Sequence, residues 1–211
     1  MGKLRSGILG HLSGKVAGVV GSRWKDQSTL REYVIPANPN TTPQQAQRTL
    51  MRGAVGFCKA LVGPVFNVYV DKFQRSMSGF NYFISQNIGN FDEVDPFPLM
   101  KLVWGKLWGI AVTAAVKTGT TVAISWTYPS LGNNGAATDL VYAAILDGST
   151  GIWYFPTTPV ARSNAPLNIT VPVGATPAFL QLYIWAAKYS LTSPTLLEMV
   201  SDSSFSVVTG T

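Results

Sequence analysis

The second half of the chain is a succession of short apolar runs separated by turn-forming residues. Residues 122–127 alternate apolar and polar side chains, as a strand with one buried face does. Residues 140–146 and 179–187 are apolar at nearly every position, which is typical of strands buried on both faces. About seven such runs in roughly 110 residues predict an immunoglobulin- or fibronectin-like sandwich of two sheets. Trp126 is expected to lie in its core.

The middle of the chain predicts helices. Thr42 is the expected N-cap and Pro43 the first helical residue, which together form a strong start signal. We expect this helix to end at the glycine–proline pair 63–64, with further helical stretches at residues 65–75 and 78–87. Apolar residues recur at helical spacing and predict one buried stripe: Leu50, Ala54, Phe57, Cys58 and Leu61.

The first forty residues are rich in glycine and predict an arm with a β-hairpin. Glycines at positions 2, 7, 10 and 14 exclude a stable helix there. Residues 16–24 and 29–35 predict the two strands, and residues 25–28 the turn between them. An isolated hairpin is only marginally stable in water, so we expect it to dock on another surface.

These patterns together predict an α+β protein in three parts. A basic glycine-rich arm with a β-hairpin spans residues 1–40, and a helical unit with a linker spans residues 41–96. The immunoglobulin/fibronectin-like sandwich spans residues 97–211. Only 12% of the 211 residues are charged, about half the usual share, which favours burial of surface in an assembly.

The positive charge is concentrated towards the N-terminus. Residues 1–75 hold eleven cations against three anions, and the remaining residues hold five against seven, for a net charge of +6. This asymmetry predicts a basic surface that contacts neighbouring subunits or nucleic acid. With no motif that reads sequence, nucleic acid would be bound through its backbone. The candidate contact residues are Lys3, Arg5, Lys15, Arg23, Trp24, Lys25, Arg31, Arg48 and Arg52.

Catalytic and metal-binding chemistry has little support in the sequence. His11 is the only histidine and Cys58 the only cysteine, so an intrachain disulfide and the usual zinc ligand sets are excluded. No nucleophile elbow or phosphate-binding loop is present. We therefore expect no catalytic residues, no metal and no cofactor. We also expect no signal peptide and no membrane-spanning segment, and a location in a virion or a cytoplasmic assembly.

Aromatic residues suggest contacts with other molecules. Trp153, Tyr154 and Phe155 are consecutive and cannot all lie on one face of a strand, so we predict an interface there. The sandwich also holds enough aromatic residues for a carbohydrate-binding platform, the candidates being Trp104, Trp108, Trp153, Tyr154 and Trp185.

Several short motifs of the chain are distinctive: Gly14-Lys15-Val16, Gly21, Trp24-Lys25, Arg31, Asn38-Pro39, Thr41, Gln45, Arg48, Trp126 and residues 138–142. They resemble those of an uncharacterised Bacteroidota protein family of similar length, found in genomes and in phage-like elements. The resemblance covers nearly the whole chain. It implies a glycine-rich N-terminal arm, an Asn-Pro-x-Thr connection to a glutamine-rich helix start, and a C-terminal immunoglobulin-like domain, but no activity. Similar arms occur in phage virion proteins.

The leading hypothesis is a structural, self-assembling subunit of a phage or virus-like particle, either a coat protein or another virion protein. Its partners would be further copies of itself, other virion proteins, and packaged nucleic acid bound through backbone contacts, with no membrane. Two alternatives stay open. One is a nucleic-acid-binding protein outside a virion that does not read sequence, and the other is a carbohydrate-binding or adhesion module.

Overall fold

The computed structural model describes residues 3–4, 12–24, 27–35, 37–38, 40–74, 76–92, 96–128, 134–190, 193 and 195–210. The chain divides into two compact units, Met1–Gln45 and Ala46–Thr211. The first unit is a small β-sheet. The second combines helices with two larger sheets.

The first unit contains a four-stranded antiparallel sheet, here called the N-terminal sheet. Its strands follow one another in the order β1-β2-β3-β4. The predicted hairpin is therefore part of a longer meander, with β3 and β4 in register from the pair Val19–Glu32 to the pair Trp24–Gln27. The strands are β1 (Lys3–Leu4), β2 (Leu12–Val16), β3 (Val19–Trp24) and β4 (Gln27–Glu32).

The predicted turns of this region need correction. Residues 16–24 do not form one strand, because a turn at Ala17 and Gly18 separates β2 from β3. Ala17 has a positive φ of 49°, and the Gly18 carbonyl accepts a 2.7 Å hydrogen bond from the Tyr33 amide. The predicted turn at residues 25–28 is also too long, since Gln27 already belongs to β4.

Helix α1 (Thr42–Cys58) begins close to the predicted position. The Thr41 carbonyl accepts from the Gln45 amide at 2.9 Å, so Thr41, not Thr42, makes the first helical hydrogen bond. The Gln44 side chain reaches back and accepts from the Thr41 amide at 3.3 Å. This is half of a capping box, whose Thr-x-x-Gln spacing begins one residue before the predicted N-cap.

The prediction that the helix ends at residues 63–64 is wrong. The chain continues through a 3₁₀ turn at Lys59–Leu61 into a π-helix at Val62–Val70. Pro64 has no amide to donate, and the change of helix type around it accommodates the missing hydrogen bond. Val65 and Phe66 are fully buried and hold the continued helix against the core.

Helix α2 (Gly79–Asn87) follows the prediction closely. Ser78 caps it by accepting a 3.3 Å hydrogen bond from the Asn81 amide. Two 3₁₀ turns, Ile88–Asp92 and Phe97–Leu99, connect it to the sheets. The rings of Phe91 and Phe97 both pack against Phe57 of α1. The segment around the predicted linker is thus anchored to the helical core on both sides.

The second unit contains two larger sheets. The outer sheet has the strand order β10-β6-β5-β14, and the central sheet has the order β12-β11-β7-β8, with β13 paired to β11 and β9 paired to β7. This order is compatible with an immunoglobulin-like sandwich. The strands are β5 (Val112–Thr118), β6 (Thr121–Trp126), β7 (Leu140–Asp147), β8 (Ile152–Tyr154), β9 (Val160–Ala161), β10 (Leu167–Thr170), β11 (Leu180–Tyr189), β12 (Leu197–Val200), β13 (Ser204–Val207) and β14 (Thr209–Gly210).

The central sheet is buried on both faces, which explains why β7 and β11 are apolar throughout. One face packs on the outer sheet, with Leu182 and Ile184 of β11 among its buried residues. The other face packs on the helices, with Tyr183 and Trp185 in a second cluster. The second unit therefore has three layers: helices, central sheet and outer sheet. The predicted α+β class, with a β-rich C-terminal part, is confirmed.

Trp126 lies at the end of β6 in the core between the two sheets, as predicted. Its indole nitrogen donates a 2.8 Å hydrogen bond to the backbone carbonyl of Arg162. The guanidinium of Arg162 is itself buried, donates to the Trp108 carbonyl at 2.6 Å and lies 3.9 Å from the carboxylate of Asp139. Burial raises the pKa of Asp139 above its ordinary value. These contacts fix the loops at one end of the sandwich.

One helical stretch in the described part of the chain, Thr42–Val70, is long and apolar enough to cross a membrane by length and composition. The sequence predicted no membrane-spanning segment because only uninterrupted runs of apolar residues were considered, and this stretch is interrupted by Arg52 and Lys59. Its side chains Ala54, Leu61 and Phe66 pack into the core. Of its most apolar 18 residues, 39% are buried in the fold, and a single stretch of this kind is weak evidence for a membrane.

Candidate assembly and polyanion-binding surfaces

One face of the N-terminal sheet carries cations, and we call it the cationic face. The strand register pairs Lys15 with Val20 and Val20 with Arg31, so these three side chains lie side by side on the same face. The Lys15 ammonium lies 3.3 Å from the centroid of the Tyr33 ring, a cation–π contact. Lys15 and Arg31 are both exposed. This face can therefore present two positive charges to an anionic partner.

The opposite face is the apolar face of the N-terminal sheet. Val16 and Val19 are paired across β2 and β3, and Leu30 of β4 projects on the same side. Their exposed fractions are 45%, 41% and 67%. The segment after β4 continues this exposure, because Val34 is 69% and Ile35 is 77% exposed. The sheet thus leaves large apolar side chains in contact with water.

The remaining candidate residues of the arm are less completely described. Lys3 lies in β1, and Arg23 and Trp24 lie in β3, so their backbones are placed in strands. Arg5 and Lys25 lie outside the described residues. Of the cations predicted for the arm, only Lys15 and Arg31 have described side chains.

The two predicted contact residues of α1 form a row with a third cation. Arg48, Arg52 and Lys59 are all exposed, and their spacing of four and seven residues puts them on one side of the helix. No aspartate or glutamate occurs in Thr42–Val70. The sequence prediction omitted Lys59, although the seven-residue spacing from Arg52 was a readable signal. We call these three residues the cation row.

The predicted interface residues Trp153, Tyr154 and Phe155 already have partners within the chain. Trp153 is buried, its ring meets Phe57 edge-on at 5.1 Å, and its indole nitrogen donates to the Phe57 carbonyl at 3.2 Å. Tyr154 and Phe155 are half-buried against the two core clusters. The three side chains alternate between the covered faces of the central sheet. Their role in an interface stays a prediction.

The aromatic residues considered for a carbohydrate platform differ in accessibility. Trp185 is buried between Tyr69 and Tyr142. Trp104 is half-buried and lines a cavity of about 540 Å³, here called the Trp104 cavity. Trp108 is 46% exposed and lines a more open depression. Only Trp104 and Trp108 among these tryptophans can therefore reach a ligand.

Groups with chemical reactivity are sparse in the described part of the chain. Cys58 is fully buried, and burial raises the pKa of its thiol to about 11, which makes the thiolate rare at neutral pH. Within the described residues, no group of three His, Cys, Asp or Glu side chains could hold a metal ion. His11 lies outside them.

Comparison with known proteins adds a family but no activity. No curated protein and no solved structure matches the chain. A model of a family of unknown function, DUF6266, matches residues 11–190. The matched region extends from just before β2 to just after β11 and covers most of the 211 residues. The chain therefore belongs to the DUF6266 family.

Proposed function

We propose that this chain is a structural subunit that assembles with copies of itself through the N-terminal sheet, as a component of a phage or virus-like particle. The observation that carries the proposal is the apolar face, where Val16, Val19 and Leu30 are exposed on a thin sheet. Exposed apolar patches usually mark contacts. The particle context is supported by the resemblance of the N-terminal motifs to arms of phage virion proteins.

A second copy fits this sheet because its edge strand β4 can pair with itself. All the described side chains of β4 are exposed, and β4 is the last strand in the order of the sheet. A two-fold antiparallel pairing centred on Leu30 sets Leu30 beside its counterpart in the second copy. Arg31 then faces Thr29 and Glu32 faces Ser28, so no like charges are opposed. The pairing satisfies the backbone groups of an open edge and packs the two leucines against each other. It also joins the two apolar faces into one larger face, which is open to a further copy.

The two faces of the sheet assign different roles to its residues. Contact between subunits falls to the apolar face and to the edge of β4. The cationic face, with Lys15 and Arg31, points the other way and is free to meet the phosphates of packaged nucleic acid. Both roles proposed for the basic arm are then compatible in a single subunit.

The experiment measures the mass of the full-length protein by light scattering and its 260/280 nm absorbance ratio, after purification without nuclease. We expect a large uniform particle with an elevated ratio. Leu30→Lys sets two cations opposite each other at the two-fold axis and should give a monomer. Ile152→Lys is the matched control, because Ile152 is 51% exposed on the edge strand β8. It should assemble like the wild type.

Two outcomes contradict the proposal. One is a wild-type monomer, and the other is a Leu30→Lys variant whose mass equals that of the wild type. The double change Lys15→Gln and Arg31→Gln separates the roles of the two faces. It should lower the 260/280 nm absorbance ratio and leave the mass unchanged. An unchanged ratio would show that the cationic face does not bind nucleic acid.

A second candidate function, nucleic-acid binding outside a virion, is favoured by the cation row of α1. Helical rise sets Arg48 and Arg52 about 6 Å apart along the axis, so both can contact the same stretch of a phosphate backbone. This candidate predicts a monomer that retains nucleic acid. It also predicts that Arg52→Gln with Lys59→Gln flattens the dependence of affinity on salt. Assembly with an ordinary absorbance ratio would contradict it.

A further inference from the structure

The Trp104 cavity is a well-defined cavity whose residues take part neither in the proposed assembly nor in the proposed nucleic-acid binding. It lies between Phe73, which follows the π-helix, the segment from Trp104 to Lys106, and strand β12. Its volume of about 540 Å³ is in the range of small-molecule sites. All its walls belong to the second unit.

The floor of the cavity is held rigidly by hydrogen bonds between two chain segments. The Gly105 amide donates to the Asp202 carboxylate at 2.9 Å, and the Leu107 amide donates to the Val200 carbonyl at 2.9 Å. Gly105 packs so closely on Val200 that a Cβ atom would overlap the carbonyl oxygen. A floor fixed in this way loses little freedom when a ligand binds.

The aromatic wall is also fixed in place. The Trp104 ring meets Tyr82 edge-on at 5.1 Å and Phe83 at 6.3 Å. Phe73 completes the apolar lining and is 39% exposed. An immobilised aromatic surface with open access suits a ligand that has an apolar face of its own.

The polar groups at the rim offer both a donor and an acceptor without a partner. Asp202 is occupied, since it accepts from Gly105 and pairs with Lys101 at 2.8 Å. Lys106 and Glu198 line the cavity and are exposed. Neither makes a hydrogen bond or ion pair within the described part of the chain. The positive charge of Lys106 and the negative charge of Glu198 balance, so the cavity does not favour a ligand with a net charge.

We propose that the Trp104 cavity binds a saccharide. A sugar ring has an apolar face for the aromatic wall. Its hydroxyl groups both donate and accept, which matches the carboxylate of Glu198 and the ammonium of Lys106. Hydrogen bonds to charged groups are the stronger kind, so these two residues would set the orientation of the ring. The site is independent of the N-terminal sheet, and its test does not depend on assembly.

The test is saturation-transfer NMR of the full-length protein with glucose, galactose, mannose and N-acetylglucosamine at millimolar concentrations. L-Leucine, a zwitterion with an apolar side chain, is included as a competing ligand class. We expect transfer to at least one sugar and none to L-leucine. Phe73→Ser and Glu198→Gln should each weaken the affinity for that sugar about tenfold.

The matched control is Phe179→Ser, because Phe179 is 52% exposed and lies outside the cavity. It should bind the sugar like the wild type. The proposal is overturned if none of the sugars shows transfer, if L-leucine binds in their place, or if the cavity variants bind as tightly as Phe179→Ser. Phe73 and Glu198 are on the surface, so their variants should fold, and circular dichroism checks this.

Discussion

Replacing Gly105 by alanine gives the sharpest test of the packing beneath the Trp104 cavity. The added Cβ would overlap the carbonyl oxygen of Val200 and lie 2.5 Å from its carbonyl carbon, whereas ordinary contact begins at 3.4 Å. The two segments must therefore separate by at least about 0.9 Å to relieve the contact with the carbonyl carbon, and by more to clear the nearer carbonyl oxygen. That movement stretches the hydrogen bonds from Gly105 to Asp202 and from Leu107 to Val200.

The cost follows from these two effects. Overpacking of this kind costs about 1–3 kcal/mol, and each weakened hydrogen bond adds about 1 kcal/mol. We expect Gly105→Ala to lower the free energy of unfolding by about 3–5 kcal/mol. In a domain of this size the melting temperature should fall by about 10 °C.

The assay is urea unfolding followed by circular dichroism, with Gly53→Ala as the matched control. Gly53 lies in α1 with nothing within 4 Å of the position of its Cβ. The same substitution should there raise the free energy of unfolding by about 0.5–1 kcal/mol, because alanine favours the helix. A loss below about 1 kcal/mol for Gly105→Ala would refute the close contact with Val200.

Two further predictions concern single hydrogen-bonded side chains. Asp147 accepts from the amide and the hydroxyl of Ser149 at 2.9 and 2.6 Å; burial acts to raise its pKa, but the hydrogen bonds from Ser149 and Thr150 outweigh burial and lower it. The stabilisation by the ionised Asp147 is present above the ordinary aspartate pKa and is lost as pH falls through the lowered pKa. In urea unfolding, Asp147→Asn should therefore lower the free energy of unfolding by about 1 kcal/mol at pH 7 and by less near pH 3. A loss that does not vary with pH would contradict this. Trp153→Phe removes the donor to the Phe57 carbonyl and leaves a gap, so it should cost about 2 kcal/mol, while Trp108→Phe, at a 46% exposed position, should stay within about 0.5 kcal/mol. Equal unfolding midpoints for these two variants would show that Trp153 is not held as described.

The parts of the fold that were predicted correctly depend on local signals. The apolar runs of β7 and β11 indicated strands buried on both faces, since alternation disappears when both faces are covered. The Thr-Pro pair at residues 42–43 indicated the start of α1 to within one residue. Such patterns involve only residues that are close in sequence, so they can be recognised without knowing the rest of the fold.

The errors arise where distant residues decide the local structure. Gly63 and Pro64 would end an isolated helix, but the burial of Val65 and Phe66 in the core outweighs that preference. Sequence periodicity likewise suggested a sandwich in which β11 is covered by a second sheet. The helical unit is too small to form a core of its own, so it was expected to pack on the following domain or on neighbours. The sequence did not show that it covers the other face of β11.

The candidate surfaces also depend partly on contacts between residues that are distant in sequence. The basic residues of the arm were visible in the sequence, but their division between faces depends on the register of β2, β3 and β4. The Trp104 cavity had no signal of its own, because Trp104 and Glu198 are far apart in the chain and meet only through the pairing of two distant segments. The sequence showed that Trp153, Tyr154 and Phe155 cannot all lie on one face of a strand, but it did not show that both faces of the central sheet are covered.

The two-sided burial of β11 also limits how the length of this chain can change during evolution. Leu182 and Ile184 pack into the core between the two sheets, while Tyr183 and Trp185 pack into the core against the helices. Inserting or deleting one residue within β11 would exchange the two sets, sending the large aromatic rings into the space of the aliphatic ones. Substitutions can accumulate on either core separately, whereas single-residue length changes damage both together. Homologous chains should therefore differ in length at the turns and keep the spacing of this strand constant.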